Sequence, residues 1–138
     1  MAQYIAEKLK AKHNVIIEKV NENRIQKVKD SELIIIGSPT HGFNASQNIF
    51  NFIKQLNKEI LKDKKIAIFD TRTIPTDVPK FFRLMIQKAG YASPKLEKFF
   101  KSMGCNIITE SIGISVHGKE FPIVDGEMER VDDWIINF

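Results

Sequence analysis

Four consecutive apolar residues, Leu33 to Ile36, are followed at once by a glycine, and a proline comes two positions after that glycine. A short run of this kind, rich in β-branched side chains and bounded by turn residues, is typical of a strand buried on both faces. Such strands occur in parallel sheets that carry helices on both sides. The run therefore constrains the fold more than any other segment, and it predicts an α/β architecture.

The rest of the chain alternates between strand patterns and helical patterns. Further strands are predicted at residues 14–20, 64–71 and 105–116, the last with a break at 109–111. Helical spacing of apolar residues covers 1–12, 81–89 and the end of the chain from Met128. Two more helices are predicted to begin at caps, one at Asn44 or Ser46 and running to Ile60, the other at Ser93 before Pro94. This alternation predicts a mainly parallel sheet with helices on both faces.

Length and composition restrict the class of protein. A chain of 138 residues with 43% hydrophobic and 28% charged residues suits one soluble domain. It contains no apolar run of membrane-spanning length and no secretory signal pattern, so we expect a cytoplasmic protein with no membrane partner. The single cysteine, Cys105, and the three histidines form no metal-ligand spacing, so neither a disulfide framework nor a metal site is predicted.

The net charge of +4, from 21 Lys and Arg against 17 Asp and Glu, mildly favours acidic partners. Most lysines recur at spacings that place them on the outer faces of helices. No nucleic-acid-binding motif accompanies them, so nucleic acid is not expected as a partner.

Two polar segments follow predicted strands, where ligands bind in a parallel sheet. The first is "GSPTHGF", residues 37–43, in which glycines expose backbone N–H groups and His41 and Phe43 offer flat faces to an aromatic ligand. The alternative is an ordinary strand-to-helix turn with an unrelated histidine. The residues alone leave both interpretations open.

The second segment is "FDTR", which ends the next strand with Asp70, Thr71 and Arg72. These side chains could hydrogen-bond a heterocycle or a phosphate, or Asp70 could stabilise the turn with Arg72 beside it. The residues alone favour the structural role. His117 and Asp125 do not form a convincing acid–base pair, and Cys105 is more typical of a packed residue than of a nucleophile. No catalytic side chain is predicted.

These two segments resemble those of the flavodoxin-like family, small α/β proteins that hold FMN. "LIIIGSPTHG" is similar to the family's third strand and first flavin-facing loop, and "KKIAIFDTR" to its fourth strand and second flavin-facing loop. "LEKFFKSMGCNIITE" and "GEMERVDDWI" fit the later helix, fifth strand and closing helix. The resemblance implies a sheet in the order 2-1-3-4-5 with FMN where the order reverses, as the general rule for this fold states.

Carried onto this sequence, the resemblance implies two walls for the flavin ring. One wall would be formed by six consecutive residues, namely Ser38, Pro39, Thr40, His41, Gly42 and Phe43. The other would be formed by Asp70, Thr71 and Arg72. In relatives a peptide of the first loop reorients on reduction, and Gly42 is the residue here that would permit it.

Three departures from the family shape the prediction. The first strand and its Ser/Thr-rich phosphate loop are missing, residues 74–89 look like an inserted helix, and the chain is basic where family electron carriers tend to be acidic. Residues 1–138 are therefore expected to form one N-terminally truncated flavodoxin-like domain of three layers, with FMN binding weakened or lost. A homodimer that supplies a strand remains open.

The functional hypothesis is an FMN-binding electron-transfer or flavin-dependent redox protein of flavodoxin type. It would be an electron carrier or redox module that serves a redox partner protein, rather than an enzyme with side-chain catalysis. The alternative hypothesis is a flavodoxin-fold scaffold that binds no flavin and acts through protein contacts or has no activity.

Overall fold

The structure is a computed structural model that describes residues 1–20, 25–118, 122–136 and 138. Its strands are β1 (Leu33–Pro39), β2 (Lys65–Thr73), β3 (Asn106–Ile107) and β4 (Ile112–Val116). Its helices are α1 (Ala2–Leu9), α2 (Ile25–Lys29), α3 (Gln47–Ile53), α4 (Lys58–Leu61), α5 (Lys80–Ala89), α6 (Ala92–Ser102) and α7 (Glu127–Ile135), with a 3₁₀ turn at Pro75–Asp77.

The strands form one parallel sheet with β2 at its centre. β1 pairs along β2 from Leu33 opposite Lys65 to Pro39 opposite Thr71. On the other side, β3 pairs with the start of β2 and β4 pairs with its end. β3 and β4 are thus two halves of one interrupted strand, and the predicted break at 109–111 is found between them.

Helices cover both faces of this sheet and enclose two apolar cores. The larger core joins α3, α4 and α6 to one face of β1 and β2, and Phe100, Ile66 and Ile68 are fully buried in it. The smaller core lies on the opposite face, where α1 and α7 pack on Phe69 and Ile114. The predicted three-layer α/β fold with a parallel sheet is therefore confirmed.

The strand predicted at residues 14–20 is wrong, because this segment has no regular secondary structure. Ile16 and Ile17 are 60% and 47% exposed, whereas Val15 packs on the smaller core and Val20 on the larger one. β-Branched side chains favour a strand only where a neighbouring strand can pair with it, and among the described residues none pairs here. β1 consequently lies at an edge of the sheet, and Leu33, Ile34 and Ile35 are only half-buried.

The helix predicted to run to Ile60 is divided in two. Ser46 is its N-cap, as one of the two predicted starts, but α3 ends at Ile53. α4 then begins after Asn57, whose side-chain oxygen accepts a hydrogen bond from the Ile60 N–H at 2.9 Å. Because asparagine is a favoured N-cap, a second helix begins here, and the apolar residues of the single predicted helix are divided between α3 and α4.

No helix in the described ranges combines the length and the apolar character that crossing a bilayer requires.

Candidate cofactor site

The carboxyl ends of β1 and β2 bring the two predicted loops together. Ser38 lies opposite Asp70 in the ladder, and Pro39 lies opposite Thr71. Just beyond the last pair, the Thr40 N–H donates to the Thr71 carbonyl at 2.8 Å. The two segments singled out in the sequence therefore start from adjacent positions on one edge of the sheet.

Residues 41–44 form a tight turn above this edge. The His41 N–H donates to the Asn44 carbonyl at 2.9 Å, and the Asn44 N–H donates back at 3.0 Å. Gly42 and Phe43 have φ values of 52° and 66°, as a type I′ turn requires at both central positions. Phe43 adopts this conformation at a steric cost. Lys95 of α6 stabilises it by donating to the Phe43 carbonyl at 2.5 Å.

The hydroxyl groups of the first loop stabilise its backbone. Ser38 is buried, and its Oγ accepts from the Ser46 N–H at 2.9 Å and donates to the Pro39 carbonyl at 3.0 Å. Thr40 Oγ1 accepts from the Ala92 N–H at the start of α6, at 3.1 Å. These two side chains fix the loop against α3 and α6, while Pro39 and His41 are exposed.

Asp70 and Arg72 form an ion pair under the site. Asp70 is fully buried, and its carboxylate accepts from Arg72 Nε at 2.6 Å and from Arg72 Nη2 at 2.8 Å. The Ser93 N–H donates to the same carboxylate at 2.7 Å, and Arg72 Nη2 also donates to Ser93 Oγ at 3.0 Å. A buried pair of this kind is maintained only when its hydrogen bonds are satisfied, and here both charges have several partners. The pair joins the end of β2 to the first turn of α6.

Two further residues shape the space for the Arg72 guanidinium. Its Cζ lies 3.8 Å from the centroid of the Tyr91 ring, a cation–π contact. Gly113 of β4 lies close by, since a Cβ built on it would be 1.9 Å from Arg72 Cζ. The sequence did not indicate either residue. It also predicted Ser93 as the cap of this helix, but α6 begins at Ala92 and Tyr91 is its N-cap. The one available signal was Gly113 within a strand pattern, which marks a close approach.

The inserted segment is tied to the end of β4. The Ile74 N–H donates to the Val116 carbonyl at 3.1 Å, and the 3₁₀ turn follows. Asp77 of that turn accepts from His117 Nδ1 at 3.1 Å and from the Gly118 N–H at 3.0 Å. The segment after β2 therefore crosses to β4 before α5 begins.

A family comparison decides what kind of domain this is. Residues 1–105 match a family described as a flavodoxin domain, which is most of the chain. The chain belongs to the flavodoxin family. No curated protein sequence matches it significantly. Membership supports a redox function of the flavodoxin type.

Solved structures share the flavodoxin fold with this chain. The rubredoxin oxygen:oxidoreductase of Desulfovibrio gigas superposes with a TM-score of 0.71 at 15% identity, over 98% of this chain and 30% of its own. Flavodoxin 1 of Bacillus cereus superposes with a TM-score of 0.66 at 16% sequence identity, and the match covers 98% of this chain and 84% of the flavodoxin. Flavodoxin 2 of the same organism superposes with a TM-score of 0.66 at 17% sequence identity, and the match covers 98% of this chain and 87% of the flavodoxin. The chain thus spans less than a third of the oxidoreductase but most of each flavodoxin, and at these identities the likeness shows the fold alone.

The residues left at the surface of this flavodoxin domain suit a flat ring. Within the described chain, the Gly42 and Phe43 N–H groups form no hydrogen bond and are available as donors. His41 is exposed and Phe43 half-buried, so both rings are accessible. Ser38, Thr40, Asp70 and Arg72 are engaged with the protein itself, so a direct contact from them to FMN stays a prediction. The described residues also contain no cluster of side chains that could hold a metal ion.

The tie between Asp77 and β4 should depend on pH. The hydrogen bond from His117 lowers the pKa of the Asp77 carboxyl below its ordinary 3.8. Because the folded pKa is the lower one, the stabilising effect of this carboxylate is present above pH 3.8 and is lost as pH falls through the folded value. We expect the Gly118 amide resonance to titrate with a midpoint below 3.8.

Asp77→Asn is the matched variant, since it keeps a carbonyl oxygen at the same place and removes the charge. It should abolish the acid titration of the Gly118 amide while leaving the resonance dispersed. A wild-type midpoint at or above 3.8 would contradict the proposed contact.

Proposed function

We propose that this flavodoxin domain is an FMN-binding electron-transfer or flavin-dependent redox module. The observation that carries the proposal is the 2.8 Å hydrogen bond between Thr40 and Thr71, because it holds the two loops that resemble the family's flavin-facing loops side by side. Both loops lie at the carboxyl ends of β1 and β2, the edge at which open α/β sheets generally bind ligands.

The turn at residues 41–44 would bind the ring. His41 and Phe43 supply flat faces for stacking, and the N–H groups of Gly42 and Phe43 are donors for polar atoms at the ring edge. Lys95 holds the turn from below through the Phe43 carbonyl and Asn44 Oδ1. Bound FMN would supply the electron chemistry, and the protein would orient it and tune its potential.

The buried pair of Asp70 and Arg72 would position this site through its bonds to the protein. It fixes the end of β2 to α6, which in turn carries Lys95 and the Ala92 N–H that hold the first loop. We assign Asp70 and Arg72 as positioning residues, and the redox partner is expected to approach the exposed rim at His41 and Pro39.

Titration of the purified protein with FMN tests the proposal. We expect quenched flavin fluorescence and a shifted visible spectrum, and His41→Ala should weaken binding by about tenfold because one stacking face is lost. His13→Ala is the matched control, since His13 is also exposed but follows α1 and contacts the Phe138 carbonyl.

Riboflavin has the ring of FMN but lacks its phosphate, so its affinity shows how much of the binding comes from the ring. The residues assigned above would contact the ring and none is assigned to the phosphate, so riboflavin should bind within about tenfold of FMN, a difference of less than about 1.4 kcal/mol. An unchanged flavin spectrum with both ligands would refute the proposal and favour the scaffold alternative.

A further inference from the structure

Helix α5 presents its apolar side to solvent. Phe81 is 69% exposed, Phe82 48%, Leu84 54% and Met85 37%, and no residue of the helix is buried. Scattered apolar residues are normal on protein surfaces, but four large ones within five positions form a continuous patch. We call residues 81, 82, 84 and 85 the α5 patch.

The least exposed face of the same helix carries Arg83, Ile86 and Ala89. Arg83 Nε donates to the Val78 carbonyl at 3.2 Å, and its Nη2 donates to the Thr76 carbonyl at 3.1 Å. A surface helix normally packs its apolar stripe on the core and exposes its polar face. α5 departs from this pattern, because only Ile86 and Ala89 among its apolar residues lie on the less exposed face, while the four larger side chains of the α5 patch stay exposed.

The charged side chains of α5 itself have one sign, since the helix contains Lys80, Arg83 and Lys88 and no acidic residue. The nearest acidic residue before it, Asp77 of the 3₁₀ turn, is bound to His117 and Gly118. Lys80 and Lys88 flank the patch at the two ends of α5, and both are exposed. The surface thus combines apolar groups with flanking cations, which complements an anionic partner that can accept apolar side chains.

A second copy of the chain does not fit these features. The patch offers roughly 400 Å² of apolar surface, judging from the exposed fractions and the usual size of such side chains. Stable interfaces bury about 800 Å² on each partner. Two copies would also bring like charges together.

A protein groove fits the patch less well than a lipid surface does. Grooves that bind a helix accept side chains spaced along one stripe, at i, i+3 or i+4, and i+7. In the α5 patch, Phe81, Leu84 and Met85 hold the i, i+3 and i+4 positions, but Lys88 holds i+7, so the apolar stripe that a groove requires is cut short. A fluid lipid surface accepts apolar groups in any lateral arrangement and places its phosphates beside the lysines.

We propose that α5 docks this protein onto an anionic membrane surface, with the α5 patch among the acyl chains and Lys80 and Lys88 at the lipid phosphates. The helix lies on the membrane and does not cross it. The proposal departs from the sequence-based expectation of no membrane partner. It does not depend on the proposed flavin function, although the 3₁₀ turn that leads into α5 would keep the cofactor site near the membrane.

Co-sedimentation with vesicles tests the proposal without any flavin. The probes are vesicles of 70% phosphatidylcholine with 30% phosphatidylglycerol, and vesicles of phosphatidylcholine alone. We expect binding to the first at 50 mM KCl, and at least about tenfold weaker binding to the second or at 500 mM KCl. Because α5 has no buried residue, its variants should fold, which circular dichroism checks.

Matched variants identify the surface. Phe81→Ser with Phe82→Ser should reduce the partition coefficient at least about tenfold. Ile16→Ser with Ile17→Ser should not, although these residues are similarly exposed at 60% and 47%. Lys80→Glu with Lys88→Glu should weaken binding to the anionic vesicles about tenfold, whereas Lys12→Glu with Lys98→Glu should have little effect.

Three results would overturn the proposal. The first is no co-sedimentation with the anionic vesicles. The second is binding that Phe81→Ser with Phe82→Ser leaves unchanged. The third is a dimer in analytical ultracentrifugation that the same two substitutions dissociate, since this would assign the α5 patch to a second copy.

Discussion

Replacing Arg72 by alanine is expected to lower the free energy of unfolding by about 3–5 kcal/mol, the usual effect of removing one partner from a buried ion pair. The loss would leave the Asp70 carboxylate buried and without its two guanidinium donors, with only the Ser93 N–H still bound. The free energy of unfolding of Arg72→Lys should lie between those of Arg72→Ala and the wild type, because a lysine keeps the charge but cannot donate in the same bidentate geometry.

Urea denaturation followed by circular dichroism measures this effect. Lys8→Ala is the control, since Lys8 also pairs with a carboxylate, that of Asp132, but both side chains are more than 40% exposed. An exposed pair contributes less than about 1 kcal/mol. If Arg72→Ala costs no more than Lys8→Ala, the pair does not secure β2 to α6, and its assigned positioning role fails.

Gly37→Ala is expected to destabilise the fold by about 1–3 kcal/mol, the usual range for overpacking a core. Gly37 lies directly opposite Phe69, and a Cβ at this position would be 2.1 Å from the Phe69 ring. The ring cannot move freely, because it is buried in the smaller core and packs edge-on against Trp134 with centroids 6.4 Å apart.

Trp134 is the only tryptophan, so its fluorescence reports this displacement directly. We expect altered emission from the folded Gly37→Ala protein together with a lower urea midpoint. Phe69→Leu should relieve the clash. The double variant should therefore lose less stability than the sum of the losses in the two single variants. Additive losses and unchanged emission would show that the ring does not pack over Gly37.

The strands and helices with strong periodicity could be predicted from the sequence, and the exceptions have physical causes. β1, β2 and the interrupted strand followed from apolar runs bounded by turn residues. Residues 14–20 have the same β-branched composition, but no strand among the described residues pairs with them, and propensity alone did not reveal that. α3 ends at Ile53, and Asn57 starts a second helix, because its side chain caps the backbone locally instead of continuing the first one.

For the site, the sequence predicted which segments meet but not what each side chain does. The adjacency of residues 37–43 and 70–72 follows from parallel strand order, which a pattern can show. The involvement of Ser38 with Ser46 and of Asp70 with Ser93 depends on the placement of α3 and α6. Tyr91 and Gly113 were missed for the same reason. The exposure of the α5 patch could not be predicted either, since periodicity identifies apolar positions on a helix but not which of them remain uncovered.

Within the part of the chain that the structure describes, β1 has no strand on its outer side, and this has a consequence for handling the protein. A strand bonded on one side only offers every second amide and carbonyl to whatever extended backbone comes near, including that of a neighbouring molecule. Pro39 blunts only its far end. At high protein concentration we therefore expect molecules to associate by strand pairing along Leu33–Pro39, and dilution should reduce this association.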